Sequence, residues 1–252
     1  MPFVVHRGHR IHYTIEGDGP LVVLQHGMLM DAGVWKQGGF VDALTGYRVA
    51  CVDSLGHGLS DKPPGADHYH QEQRAGDIVA VIDDLHCARA HLVGHSMGAW
   101  LGVGVAKYYP ERLSSLVVGG WDVVNGLPST SHGPLRFDAF MKFARLTAPH
   151  LTRWVTTESE PGLRACFEAL GQLDGAGKAV LEAGFPVMIW EGQDDPAHAR
   201  RKGFADANGL RFLSTAGDHL GMVLTHGVES AKGIRDFLDL AQNAPGAQLA
   251  AS

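Results

Sequence analysis

Short, uninterrupted apolar runs recur along the chain at Leu21 to Gln25, Arg48 to Val52, Ala90 to Gly94, Leu116 to Val118 and Val187 to Trp190, with a weaker one at Leu210 to Leu213. A strand that is apolar at every position is buried on both faces, as in a parallel sheet covered by helices. The intervals between the runs carry the helical period. Ile78, Val81, Ile82 and Leu85 follow the i, i+3, i+4, i+7 spacing of one buried helix face. Met97 to Tyr108 reads as a helix that stops before Pro110. Gly227 to Leu240 places Val228, Ala231, Ile234, Phe237 and Leu238 on one side. At the amino end, Val4-Val5 and Arg10 to Ile15 flank Gly8 as a hairpin, and Gly17 to Pro20 forms a turn. The alternation predicts an α/β fold, a mostly parallel central sheet with helices on both faces.

The pattern breaks at residues 122–185. Amphipathic stretches near Phe137 to Leu146 and Leu163 to Leu170 predict two helices, with Ser159 as the cap and Pro161 in the first turn of the second. No strand is expected there, so the segment reads as a small helical cap inserted over the carboxyl edge of the sheet. Residues 1–121 and 186–241 then form the core. Residues 242–252, rich in Ala, Gln and Pro, read as a frayed tail.

Composition changes this picture little. The formal net charge of -6 and the absence of a Lys/Arg run argue against a nucleic-acid partner. Three cysteines, Cys51, Cys87 and Cys166, are too few and too scattered for a disulfide framework, which fits a reducing cytoplasm. The amino terminus lacks the apolar stretch of a signal peptide. No run approaches the ~18 apolar residues of a membrane span. A soluble cytoplasmic protein is the expectation, and the sequence does not indicate an oligomeric state.

The chemistry concentrates in Gly94-His95-Ser96-Met97-Gly98, which follows an apolar strand and opens a helix. A sharp strand-to-helix turn crowds the backbone and needs small residues on either side of its apex. It lifts the serine hydroxyl clear of the sheet and sets it at a helix amino terminus, whose partial positive charge favours developing negative charge. The competing reading is a glycine-rich turn with a capping serine.

With this motif, the chain resembles the α/β-hydrolase superfamily over nearly its whole length. Two further segments carry the resemblance. His26-Gly27-Met28 stands at the end of an apolar strand, where the family places its oxyanion loop. Asp53-Ser54-Leu55-Gly56-His57-Gly58-Leu59-Ser60 matches the family's D-x-x-G-x-G-x-S segment. The resemblance implies a Ser–acid–His order along the chain. The acid is expected after the strand Val187 to Trp190, in Gly192-Gln193-Asp194-Asp195-Pro196. The family spacing favours Asp195, with Asp194 as the alternative and Asp122 as a more distant one. The histidine is expected in Gly217-Asp218-His219-Leu220-Gly221, and His219 is favoured over His226, although most members read Gly-His without an intervening Asp218. The resemblance makes Ser96 the nucleophile, His219 its base and Asp195 the group that orients the imidazole. It makes the backbone N–H groups of Met28 and Met97 the oxyanion donors.

The other histidines need no ligand role: His6, His9 and His12 lie along a hairpin, His68 and His70 border a loop, and His95 packs beside Ser96. No metal-binding spacing and no nucleotide-binding glycine motif occur, so neither metal nor cofactor is implied. Met28, Leu29, Met30, Trp121 and the Phe137/Phe140/Met141 stripe either line an apolar pocket above Ser96 or pack the cap on the core. No Arg or Lys stands out as an anion clamp. The expected substrate is a neutral, moderately hydrophobic small-molecule ester. Alternatives keep the same triad for lactone, thioester or C–C bond hydrolysis or perhydrolysis, or use the fold as a slowly hydrolysing ligand receptor. Epoxide-hydrolase and dehalogenase chemistry is disfavoured, because those relatives carry Asp where this chain has Ser96.

Overall fold

The computed structural model describes residues 2–130 and 133–243. Strands β1 (Phe3–His6), β2 (His9–Glu16), β3 (Leu21–Gln25), β4 (Arg48–Val52), β5 (Ala90–His95) and β6 (Leu113–Gly119) lie in the first half of the chain. Two two-residue strands, β7 (Ser129–Thr130) and β8 (Gly133–Pro134), pair with each other, and β9 (Val187–Gly192) and β10 (Arg211–Thr215) complete the set. Eight strands form one sheet in the order β1-β2-β4-β3-β5-β6-β9-β10. The first two pairings are antiparallel and the rest are parallel.

The continuous apolar runs resolve into two cores. In β3, Leu21 and Val23 face one cluster while Val22 and Leu24 face the other. The same alternation places Val187 and Ile189 of β9 on one side and Met188 and Trp190 on the other. One side is covered by α3 (Gln71–Asp84) and α4 (Met97–Tyr108). The other holds α1 (Gly33–Gln37), α2 (Phe40–Ala43), α10 (Gly221–Leu224) and α11 (Gly227–Gln242). Helix α9 (His198–Ala207) follows β9. Of the expected frayed tail, Gln242 and Asn243 end α11, where Gln242 accepts a hydrogen bond from His91 at 2.7 Å. The remainder lies outside the described residues.

Residues 122–185 hold α5 (Phe137–Thr147), α6 (Pro149–Thr152), α7 (Glu160–Glu168) and α8 (Ala176–Leu181). This is more than the two expected helices, and the β7–β8 pair is a small strand element where none was expected. Two-residue strands carry too little period to be seen in a sequence. Helix α7 begins at Glu160 after Ser159, but the Ser159 hydroxyl does not cap it. Its Oγ instead accepts the Thr156 N–H at 2.9 Å, closing the preceding turn.

Strand order determines where the loops converge. From β3 the chain crosses to β4 on one side, then passes back over β3 to β5 on the other. Such a reversal leaves a crevice at the carboxyl ends of the two central strands, because successive connections leave in opposite directions. The loop after β3 and the turn after β5 both open into it.

Candidate active site

Ser96 is the single residue between β5 and α4, with φ 56° and ψ −117°. A non-glycine residue in that region costs of order 1–3 kcal/mol and persists only where its surroundings enforce it. Here they do. The Ser96 N–H donates to the Gly119 carbonyl at 2.7 Å, and the Ser96 carbonyl accepts from Ala99 and Trp100. A side chain on Gly98 would lie 1.9 Å from the Gln25 carbonyl oxygen, and one on Gly94 2.3 Å from that of Gly98. The two motif glycines are therefore required by close backbone approach. Ser96 Oγ makes no hydrogen bond among the described residues and is partly exposed.

The loop after β3 packs directly against this turn. A Cβ on Gly27 would stand 3.2 Å from Ser96 Cβ. His26 donates through Nδ1 to the Gly27 carbonyl at 2.8 Å and accepts the Ser54 N–H at Nε2, so it is held as one neutral tautomer. Burial lowers its basicity further. Asp53 ties the D-x-x-G-x-G-x-S segment to the same loop: it accepts from the Ala32 N–H at 2.6 Å, the Leu59 N–H at 2.8 Å and His12 Nδ1 at 2.7 Å. Among the described residues, neither the Met28 nor the Met97 N–H has a hydrogen-bond partner, and both residues are buried. Two free donors thus flank Ser96, one from each loop.

The turns after β9 and β10 are joined by backbone hydrogen bonds, Gln193 N–H to Thr215 and Asp194 N–H to Gly217. This union brings Asp195 Oδ2 to 3.5 Å from His219 Nδ1, a contact slightly longer than a formed hydrogen bond. The Asp195 carboxyl is held down at about 2. Burial opposes its ionisation, but His219, the Ala197 N–H at 2.7 Å and the Arg201 charge together outweigh burial. The His219 ring lies beside Gly120 and against His95, with centroids 4.7 Å apart. His95 Nε2 donates to the His219 carbonyl at 2.8 Å, and burial holds His95 well below the usual imidazole range. Ser96 and His219 therefore share the wall formed by His95 and Gly119-Gly120. No direct hydrogen bond joins their side chains.

The alternatives lie elsewhere. Asp194 is exposed. Asp122 accepts the Val124 and Asn125 N–H groups and pairs with Arg200 at 2.8 Å. His226 precedes the first residue of α11, with no side-chain hydrogen bond to the helix end. The proposed pocket lining divides. Met30 packs in the opposite core with Trp35 and Phe40, because the chain turns at Leu29, whose φ is 69°, and leaves the face that Met28 and Leu29 occupy. Phe140 stacks on Phe167 of α7 at 4.9 Å and Phe137 meets the same ring edge to face at 5.8 Å, so the α5 stripe holds α5 and α7 together. A cavity of about 760 Å³ opens between His12, Asp53, Lys62 and Trp154, and Ser96, Asp195 and His219 do not line it.

Sequence reasoning missed three charged residues. Glu191 is fully buried within β9 and pairs with Arg201, which also stands 3.9 Å from Asp195. Burial pushes the Glu191 carboxyl up against the opposing pull of Arg201. Glu191, Asp195 and His219 have ligand atoms within 4.8 Å of one another, a grouping that could hold a cation, and Arg201 already supplies a positive charge there. The third is Arg74 of α3, only 1% exposed. A charge directly following the apolar run Val187 to Trp190 was the available signal for Glu191. For Arg74 it was the helical spacing, since position 74 continues the stripe of Ile78, Val81 and Leu85.

Comparison with known proteins places these features in a family. The sequence profile described as alpha/beta hydrolase fold matches residues 20–144. A haloalkane dehalogenase of Mycobacterium marinum is 32% identical over 209 residues, covering 79% of this chain and 68% of that protein. The 2-hydroxy-6-oxo-6-phenylhexa-2,4-dienoate hydrolase of Comamonas testosteroni is 35% identical over 143 residues, 55% of this chain and 48% of its own length. The chain spans less than half the length of the first curated relatives it matches. Among solved structures, the enol-lactonase from Burkholderia xenovorans LB400 superposes with a TM-score of 0.77 at 25% identity, covering 94% of this chain and 100% of that one.

Proposed function

The chain belongs to the α/β-hydrolase superfamily, and from that premise we propose that it is a serine hydrolase acting on a small-molecule carboxylic ester through an acyl-enzyme intermediate. The observation that carries the reading is the strained backbone of Ser96, set between two unpartnered N–H donors and beside the Asp195–His219 pair. Strain of this kind is retained where it positions a reacting group.

In the proposed reaction, His219 takes the Ser96 proton as Oγ attacks the ester carbonyl. Asp195, ionised through the working range, orients the ring and stabilises the imidazolium. The carbonyl oxygen gains its negative charge between the Met28 and Met97 N–H groups, where loss of one donor typically costs about 10²–10³ in rate. Collapse passes the proton from His219 to the leaving alcohol and leaves the acyl group on Ser96. Water, deprotonated by His219, then attacks the acyl carbon, and the returning proton restores Ser96 as the acid departs.

The likeness to the enol-lactonase and to the Comamonas dienoate hydrolase supports a second reading, in which the same residues open a lactone or cleave a C–C bond. Turnover of short-chain p-nitrophenyl esters, lost in Ser96→Ala, tests the first. Turnover confined to lactones or vinylogous diketones would replace it with the second. Tight ligand binding with no turnover of any of them would point to a receptor.

A further inference from the structure

The loop that carries Asp195 is clasped from both ends. Glu191 of β9 leads into it, and Arg201, in the first turn of α9, follows it. Their side chains form an ion pair, with Glu191 fully buried and the Arg201 side chain 10% exposed. Arg201 Nη1 also stands 3.9 Å from Asp195 Oδ2, the oxygen that faces His219 Nδ1 at 3.5 Å. A Glu191 oxygen, an Asp195 oxygen and a His219 ring nitrogen lie within 4.8 Å of one another. The pair therefore sits against the candidate acid and base together. The other titratable groups around His219 are already committed. His95 of β5, against the ring, is kept neutral by burial. Asp218 spends Oδ1 on the Leu220 and Gly221 N–H groups, and Arg200 of α9 is turned to Asp122. A buried ion pair adds little net stability over a well-packed apolar pair, because desolvation of two charges offsets their attraction. Packing alone does not call for charges at 191 and 201.

We propose that Glu191 and Arg201 are positioning residues that balance charge around the base: Arg201 steadies Asp195, and Glu191 cancels the Arg201 charge so that His219 can still take up a proton. The proposal rests on the serine-hydrolase reading of the same site. The sign follows from the charges present. With Arg201 and Asp195 alone, the resting cluster is neutral, and an imidazolium would bring it to a net positive charge. With the Glu191 carboxylate added, the resting cluster carries one net negative charge, and the imidazolium brings it to zero. A nearby negative charge favours the protonated ring and an unbalanced positive one opposes it. His219 must carry a proton twice per turnover, from Ser96 to the leaving alcohol and from water back to Ser96, so the balance bears on both steps. An Arg201 released from Glu191 would also compete with His219 for Asp195 Oδ2, since it already stands 3.9 Å away.

The test follows kcat/KM for a short-chain p-nitrophenyl ester against pH, whose acidic limb reports the essential base of the free enzyme, together with the titration of the His219 ring by NMR. Glu191→Gln should move both to lower pH by about one unit. A charge within 4.8 Å is lost, and solvent reaching a His219 side chain that is 37% exposed screens part of the effect. Adding Arg201→Gln to Glu191→Gln should bring both most of the way back, because the net charge is restored. A pair that only braces the loop would lower kcat or Tm and leave the limb in place. That result, or a double variant as shifted as the single one, overturns the proposal. Should Glu191→Gln fail to melt cooperatively, carbon-13 NMR of the wild-type Glu191 carboxyl decides. An ionised carboxylate whose resonance steps with the His219 titration supports the proposal; a carboxyl still protonated there, or blind to that step, refutes it. A shifted His219 titration in a protein that hydrolyses no ester would refute the hydrolase reading and leave the charge balance standing.

Discussion

Replacing Ser96 by glycine should make the protein more stable than replacing it by alanine. Both substitutions remove a hydroxyl that makes no internal hydrogen bond. Alanine keeps a Cβ on a backbone at φ 56°, ψ −117°. Glycine removes that penalty, worth of order 1–3 kcal/mol. Against this stands the larger freedom of the unfolded glycine chain, about 0.4–1 kcal/mol. At mid-range the net gain is about 1.3 kcal/mol, and at most about 2.6 kcal/mol. Unfolding entropy near 2.1 cal/mol/K per residue gives about 0.5 kcal/mol/K for 252 residues. The predicted rise in Tm of Ser96→Gly over Ser96→Ala is thus about 2–3 °C, and at most about 5 °C, by scanning calorimetry, with both variants inactive. A Ser96→Gly protein that melts at or below Ser96→Ala would show that the turn stores no strain, and would remove the argument that the backbone is distorted to present the hydroxyl.

Asp195→Asn should lower kcat by about 10⁴, since an amide in place of the carboxylate favours the wrong imidazole tautomer. Asp194→Asn, at an exposed position, should change it less than twofold in the same steady-state assay; the reverse ranking would exchange their roles. Acid should also separate Asp195 from an ordinary carboxylate. Its folded pKa, about 2, lies below the unfolded value, so its contribution to stability is present above about pH 4 and is lost as pH falls toward 2. That contribution is about 1–2 kcal/mol after allowance for solvent near the group. Urea titrations at pH 5 and pH 2.5 should therefore show a smaller pH-dependent loss in Asp195→Asn than in the wild type, and equal losses would contradict the assignment.

The sheet was legible because a strand buried on both sides is apolar at every position, and β3, β4, β5 and β9 each feed two cores. The elbow was legible because glycine at 94 and 98 is imposed by backbone contact. What stayed hidden depends on contacts that span the chain. Met30 differs from Met28 only in which face of the sheet it meets after the β3 loop. The Ser159 hydroxyl chose the Thr156 turn over the helix end, a choice between two local hydrogen bonds that spacing does not resolve. Arg74 did not stand out among the arginines and lysines of the sequence. Its burial follows from the packing of α3 against Trp100 and Tyr69, residues 26 positions downstream and five positions upstream. A charged position on an otherwise apolar stripe carried the information.

The central claim is that Ser96 is the nucleophile. The most direct measurement is titration with a serine-reactive organophosphate, followed by peptide mass spectrometry and residual ester hydrolysis on the same samples. The account predicts one label per chain, carried by the peptide containing Ser96, with activity falling in proportion to labelling and no label on Ser96→Ala. Stoichiometric labelling at another serine, or hydrolysis that survives complete modification of Ser96, would contradict it.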